Sequence, residues 1–247
     1  MGVAGFVDSI AGGGGLISLP AYLAFGLPPH AALATNKFSS SCGTFTAVAR
    51  YWHAGTVRVR IGLFAAAGAL AGSAAGAQAA LLVPAPTINA IMLVLVPLVL
   101  VFFLVHDRMP KRHLVRWRPR GTAGRHAASL AIGAVIGCYD GFFGPGTGTF
   151  LTIAFAAVLG FDLLTASANA RLANLASNVG GVAVFLWSGR VVFPLALWAA
   201  GAGIAGNLLG SMLAVKQGAR IIRPLMVVVL ILLLAEVLRR RMGLSWP

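Results

Sequence analysis

Lys37 and Arg171 are the residues around which any chemistry in this chain must be built. Each lies deep in an apolar stretch and heads a polar stripe at helical spacing: Lys37 with Ser40, Ser41 and Thr44, Arg171 with Asn174 and Asn178. Residues three, four and seven apart share one face of a helix, so each cation brings hydrogen-bonding groups to the side it faces. Arginine grips an oxyanion bidentately and lysine binds it as a point charge. Two such faces around one cavity would suit a small anion with several oxygens.

Asp8 and Asp140 are two of only five acids, and each precedes a glycine-rich break: Gly12, Gly13, Gly14 and Gly15 in one case, Gly144-Pro145-Gly146-Thr147-Gly148 in the other. A broken apolar helix leaves N–H and C=O groups unpaired, which hydrocarbon tolerates only where protein or a cavity surrounds them. The amides of Gly13, Gly14, Gly15, Gly146 and Thr147, with the helix start that follows, are placed to face an anion. The carboxylates have two readings: caps or partners for break amides, or counter-charges that carry protons. The cations have a plainer reading as well, as buried ion pairs with these two acids. A charge at the centre of a membrane helix costs about 2.5–3.5 kcal/mol, so some compensation is required.

The elements that position these residues are membrane segments. Of 247 residues, 59% are hydrophobic and only 10% charged, with mean hydropathy +0.89. A soluble domain carries about 25% charged residues, so an all-α integral membrane protein is expected. The net charge of +14 sits in short loops and at the C-terminus, where it reads as topology signal and lipid attraction rather than a nucleic-acid surface. No cleavable signal peptide is visible at the start. Apolar segments are predicted at 2–26 (broken), 31–52, 59–83, 87–106, 126–160 (broken), 164–187, 193–215 and 219–238. Tyr22, Tyr51, Trp52, Trp187, Trp198 and Trp246 read mostly as interfacial aromatics. His30, His53, His106, His113 and His126 fall at segment ends or in loops, spaced for no metal, and no cofactor is expected.

The chain divides into a first repeat over 1–106, a basic loop over 107–125 that the positive-inside rule makes cytoplasmic, and a second repeat over 126–247. Lys37, Ser40, Thr44, Tyr51 and Gly55 match Arg171, Asn174, Asn178, Phe185 and Gly189 at one offset of 134 residues, as Gly72 and Gly76 match Gly206 and Gly210. The small residues one turn apart are expected to let helices pack closely. Two repeated four-segment halves follow, with glycine-broken helices. If every segment crosses, the repeat is parallel; if the broken segments are re-entrant, it is inverted. The first half lacks apolar residues that precede Gly137 in the second, so an earlier natural start is expected.

The run from Gly5 to Pro20, containing Asp8 and the four glycines, with Ala34-Thr35-Asn36-Lys37, resembles the signature of the TauE/SafE family of membrane permeases. Gly144 to Gly148 with Ala168 to Arg171 is similar, although the second cation is Arg. The resemblance implies a secondary transporter, an exporter of sulfite or an organosulfonate from the cytoplasm across a bacterial-type inner membrane; proton coupling at Asp8 and Asp140 is the expectation that their own intramembrane carboxylates carry. It adds Asn36 to the binding set. Small anion and lipid bilayer are the expected partners; a homodimer is left open. The competing readings are a transporter or channel for another small anion, and a membrane-embedded enzyme. The enzyme reading lacks a nucleophile–base pair and a metal set, so the chain is read as a non-enzyme.

Overall fold

The computed structural model describes residues 1–88, 90, 91, 119 and 121–218, and among these there is no strand. Most of the expected 87–106 segment, the basic run 107–118 and the 219–238 segment lie outside the described residues. Eight helices are described in order: α1 (Gly2–Ala11), α2 (Gly14–Ala24), α3 (Pro29–His53), α4 (Val59–Leu82), α5 (Gly121–Phe142), α6 (Thr147–Leu159), α7 (Leu163–Trp187) and α8 (Phe193–Gln217). Local chemistry sets their ends. Pro29 opens α3 at a position where its missing N–H costs nothing. The Asp162 carboxylate caps α7, accepting from the Leu164 and Thr165 amides at 3.0 Å each. Gly160 closes α6 in the left-handed region at φ 69°.

Among the described residues, two helices are long and apolar enough to cross a membrane by length and composition: α4, 24 residues at mean hydropathy 1.4, and α8, 25 residues at 1.3. At about 1.5 Å per residue they span the roughly 30 Å of a bilayer core. Leu63, Phe64 and Leu70 on α4, and Leu197, Trp198 and Leu209 on α8, are exposed. Helices α3 and α7 are equally long, at 25 residues each, but carry Lys37 and Arg171 and bury most of their polar side chains.

The small residues set the packing. Helix α4 lies against α5, where Gly68, Gly72 and Gly76 meet the backbone at Leu130, Ala134 and Cys138 in turn. Helix α8 lies against α1 in the same manner, Gly206 meeting Gly2 and Phe6, and Gly210 meeting Phe6 and Ser9. In both pairs the numbers rise together, so the helices run parallel. So do α4 with α7 (Gly62 at Asn169 and Leu172, Ser73 at Gly181) and α3 with α8 (Thr35 at Val192, Gly43 at Asn207). Helices α3 and α7 run antiparallel. Lys37 reaches Asn178, whereas Tyr51 and Ser167 both reach the Ser9–Ile10 end of α1. Among the described residues, Arg50, Arg58, Arg60, Arg125 and Lys216 therefore gather at one end of the bundle, and Arg190 stands at the other.

Several expectations change. Tyr22 and Tyr51 are buried, not interfacial: their hydroxyls bond Ser39 Oγ at 3.0 Å and the Ser9 carbonyl at 3.0 Å. His30 is also buried, its Nε2 within 3.1 Å of the Ala80 and Val83 carbonyls at the end of α4. Trp187 and Trp198 remain exposed.

Candidate functional site

Both helical breaks fall where the sequence places its glycine runs, and they meet at the centre. The first is short: α1 ends at Ala11, Gly12 turns left-handed at φ 87°, and α2 starts at Gly14, with Gly13 as its N-cap. Gly14 and Gly15 are thus in the first turn of α2 rather than in the gap. The second break leads into α6 through Gly146, its N-cap at φ 82°. The runs touch directly. The Thr149 hydroxyl donates to the Ala11 carbonyl at 2.6 Å, and a Cβ on Gly12 would collide with the backbone of Gly148 and Thr149. Gly12 is therefore required twice, for its φ and for the approach.

The four charged residues converge here and pair across the halves. Lys37, 2% exposed, forms an ion pair with Asp140 and donates to Asn178 Oδ1 at 3.3 Å. Asp140 also accepts from the Thr147 hydroxyl at 2.8 Å and the Ser177 hydroxyl at 2.5 Å. Three donors thus hold its carboxylate. Arg171, 0% exposed, points its Nη1 at Asp8, 2.5 Å from the carbonyl oxygen and 3.5 Å from carboxylate Oδ2. The Gly14 amide donates to Asp8 Oδ1 at 3.2 Å. Asp8 is thus both counter-charge and partner of a break amide. That amide faces its own carboxylate, and so does the hydroxyl of Thr147.

The two sides are unequal. Arg171 Nε and Nη2 have no hydrogen-bond partner among the described residues, although Nη2 lies against both Gly12 and Gly148. Those two nitrogens form one edge of the guanidinium, the edge that grips an oxyanion side-on. Thr44 Oγ1 is likewise buried and unpartnered. Asn174 is buried one turn beyond Arg171. Asn36 and Ser40 lie elsewhere: with Asp8, Ser18 and Asn207 they line a cleft on the α1–α2–α3–α8 side. Asn36 Oδ1 accepts from Ser18 Oγ at 2.5 Å.

Ser177, Ser18 and Asn207 were not among the residues singled out in sequence. A signal existed for two of them. At the 134-residue offset Ser73 matches Asn207 and Ser18 matches Thr152, polar pairs at corresponding positions of the two halves. Ser177 has Gly43 at that offset, so nothing in the repeat distinguishes it.

A helical bundle with apolar outer helices and a doubly broken, charged centre is a membrane-protein organisation. The sequence model of the family described as sulfite exporter TauE/SafE matches residues 1–237. The probable membrane transporter protein ORF9 of a Sinorhizobium species is 36% identical over 96% of this chain and 88% of its own. The probable membrane transporter protein YfcA of Escherichia coli K12 is 35% identical over 96% and 86%, and a relative of the same description from Haemophilus influenzae is 31% identical over 95% and 90%. No solved structure matches the chain significantly. The chain belongs to the TauE/SafE family of membrane transporters.

Proposed function

We propose that the protein is a secondary transporter that exports a small oxyanion, of the class of sulfite or an organosulfonate, from the cytoplasm. One observation carries this reading: Arg171 is fully buried between two crossing glycine breaks, with two adjacent N–H groups unpartnered among the described residues. An unpaired buried donor on a charged group is costly, and a planar oxyanion edge satisfies both nitrogens at once. Thr44, Asn174 and the amides of Gly13, Gly15 and Gly146 complete the binding set. Lys37 joins it when its pairing with Asp140 loosens, so the two halves contribute unequally in the conformation described.

We read the architecture as an inverted repeat of multi-pass type. The matched helices α3 and α7 run antiparallel, and five described cations sit at one bundle end against one at the other. That asymmetry fits the positive-inside rule with the end at which α5 begins as the cytoplasmic one. Breaks in matched positions of inverted halves are where alternating-access transporters hold substrate. Protons on Asp8 and Asp140 supply the coupling in this reading.

The test is a ligand screen on purified protein with sulfite, sulfate, thiosulfate, sulfoacetate and unrelated carboxylates, repeated on Arg171→Gln. Saturable binding of a sulfur oxyanion that Arg171→Gln loses supports the site; equal binding by the folded variant sinks it. Vesicle flux with and without a proton gradient separates coupled export from a channel. Asp8→Asn and Asp140→Asn should each flatten the pH profile of flux, and unchanged profiles in both would remove the coupling role.

A further inference from the structure

The cleft beside Asp8 has a lining that the anion reading leaves unused. It holds no lysine or arginine, and its polar groups are mostly oxygens: the Asp8 carboxylate, Asn36 and Asn207 side chains and the Ser18 and Ser40 hydroxyls. Asn207 is 3% exposed. Its Nδ2 donates to the Gly203 carbonyl at 3.0 Å, while its Oδ1 has no partner among the described residues. Asp8 keeps acceptor capacity too: one amide reaches Oδ1, and Arg171 stands 3.5 Å from Oδ2, whereas an ionised carboxylate offers about four lone-pair sites. Side-chain amide, hydroxyl and carboxylate oxygens around one opening are ligands for a hard cation. One carboxylate, already opposed by a guanidinium, carries too little charge for a divalent ion.

We propose that this cleft binds a monovalent alkali cation the size of sodium, with Asp8 and Asn207 Oδ1 as its principal ligands and Asn36, Ser18 and Ser40 around it. The matched acid offers no such place. Asp140 is already held by the Lys37 ammonium and the Thr147 and Ser177 hydroxyls, and Ser73 stands where Asn207 would. The cation site therefore forms beside Asp8, from residues of both halves, and is not repeated beside Asp140. Its use as a coupling ion rests on the transport reading, and there sodium and a proton compete for Asp8; the binding itself does not depend on that reading.

The experiment uses the full chain in detergent, without oxyanion, at ionic strength held constant with choline chloride. Equilibrium binding of radioactive sodium and the melting temperature are followed as sodium chloride is titrated. Wild type should show saturable binding with a matching rise in melting temperature. Asn207→Ala should weaken sodium binding about tenfold or more, and Asn207→Asp, which adds a second carboxylate, should tighten it. Folded wild type without saturable sodium binding, or one affinity shared by wild type and both variants, overturns the inference. Sulfite binding on the same samples keeps the two readings apart. Sulfite bound without sodium defeats this proposal alone, and sodium bound without sulfite defeats only the anion site.

Discussion

At the scale of single residues, the buried charges are organised by exchange between halves: the cation of each half pairs with the acid of the other. Removing one member of a buried pair strands its partner at about 3–5 kcal/mol, whereas replacing both with apolar groups is often close to neutral. Asp140→Asn should therefore lower stability by that order, measured by thermal unfolding in detergent, because Lys37, at 2% exposure, forms an ion pair with Asp140 and with no other acid among the described residues. The double variant Lys37→Met with Asp140→Asn should regain much of the loss. Strictly additive effects would show that the pair is not the cause. Arg171→Lys should fold yet bind oxyanion poorly, since one ammonium cannot reach Asp8 and also present a two-nitrogen edge. Wild-type sulfite affinity in Arg171→Lys would argue against side-on binding.

At the scale of elements, glycine stripes decide how closely helices approach. A Cβ on Gly72 would collide with the Ala134 carbonyl of α5, and one on Gly206 with the Gly2 carbonyl of α1, whereas a Cβ on Gly201 meets nothing within 4 Å. Gly72→Val and Gly206→Val should each cost about 1–3 kcal/mol through overpacking, while Gly201→Ala should leave the melting temperature unchanged or slightly raised. Unchanged or raised stability at all three positions, as helix propensity alone would give, would mean that close packing does not set the effect.

At the scale of the whole molecule, the inverted reading makes a topological prediction. Gly55 follows α3 and Gly189 follows α7, two helices that run antiparallel, so these turns lie at opposite ends of the bundle. Single cysteines placed at Gly55 and Gly189, in a background lacking Cys42 and Cys138, should label with an impermeant thiol reagent from opposite faces of oriented vesicles. Gly55 should face the side bearing Arg50, Arg58 and Arg60. Labelling of both from one face would require a parallel repeat instead.

Sequence alone was enough for the helical membrane class, the glycine breaks, the four central charges and the 134-residue correspondence. These follow from composition and short-range spacing, which act within one segment or between segments of similar sequence. Residue positions did not say whether the matched segments run with or against each other. Only the tertiary contacts, rising together in α4–α5 and α1–α8 and opposed in α3–α7, decided that direction. The partner of each charge was equally out of reach. Lys37 could face Asp8 or Asp140 by composition, and which it met depended on two breaks crossing at Gly12 and Gly148. The buried fates of Tyr22, Tyr51 and His30, and the recruitment of Asn207 to the Asp8 cleft, have the same origin. A side chain's surroundings are set by the helix packed against it, and here that helix usually comes from the other half of the chain.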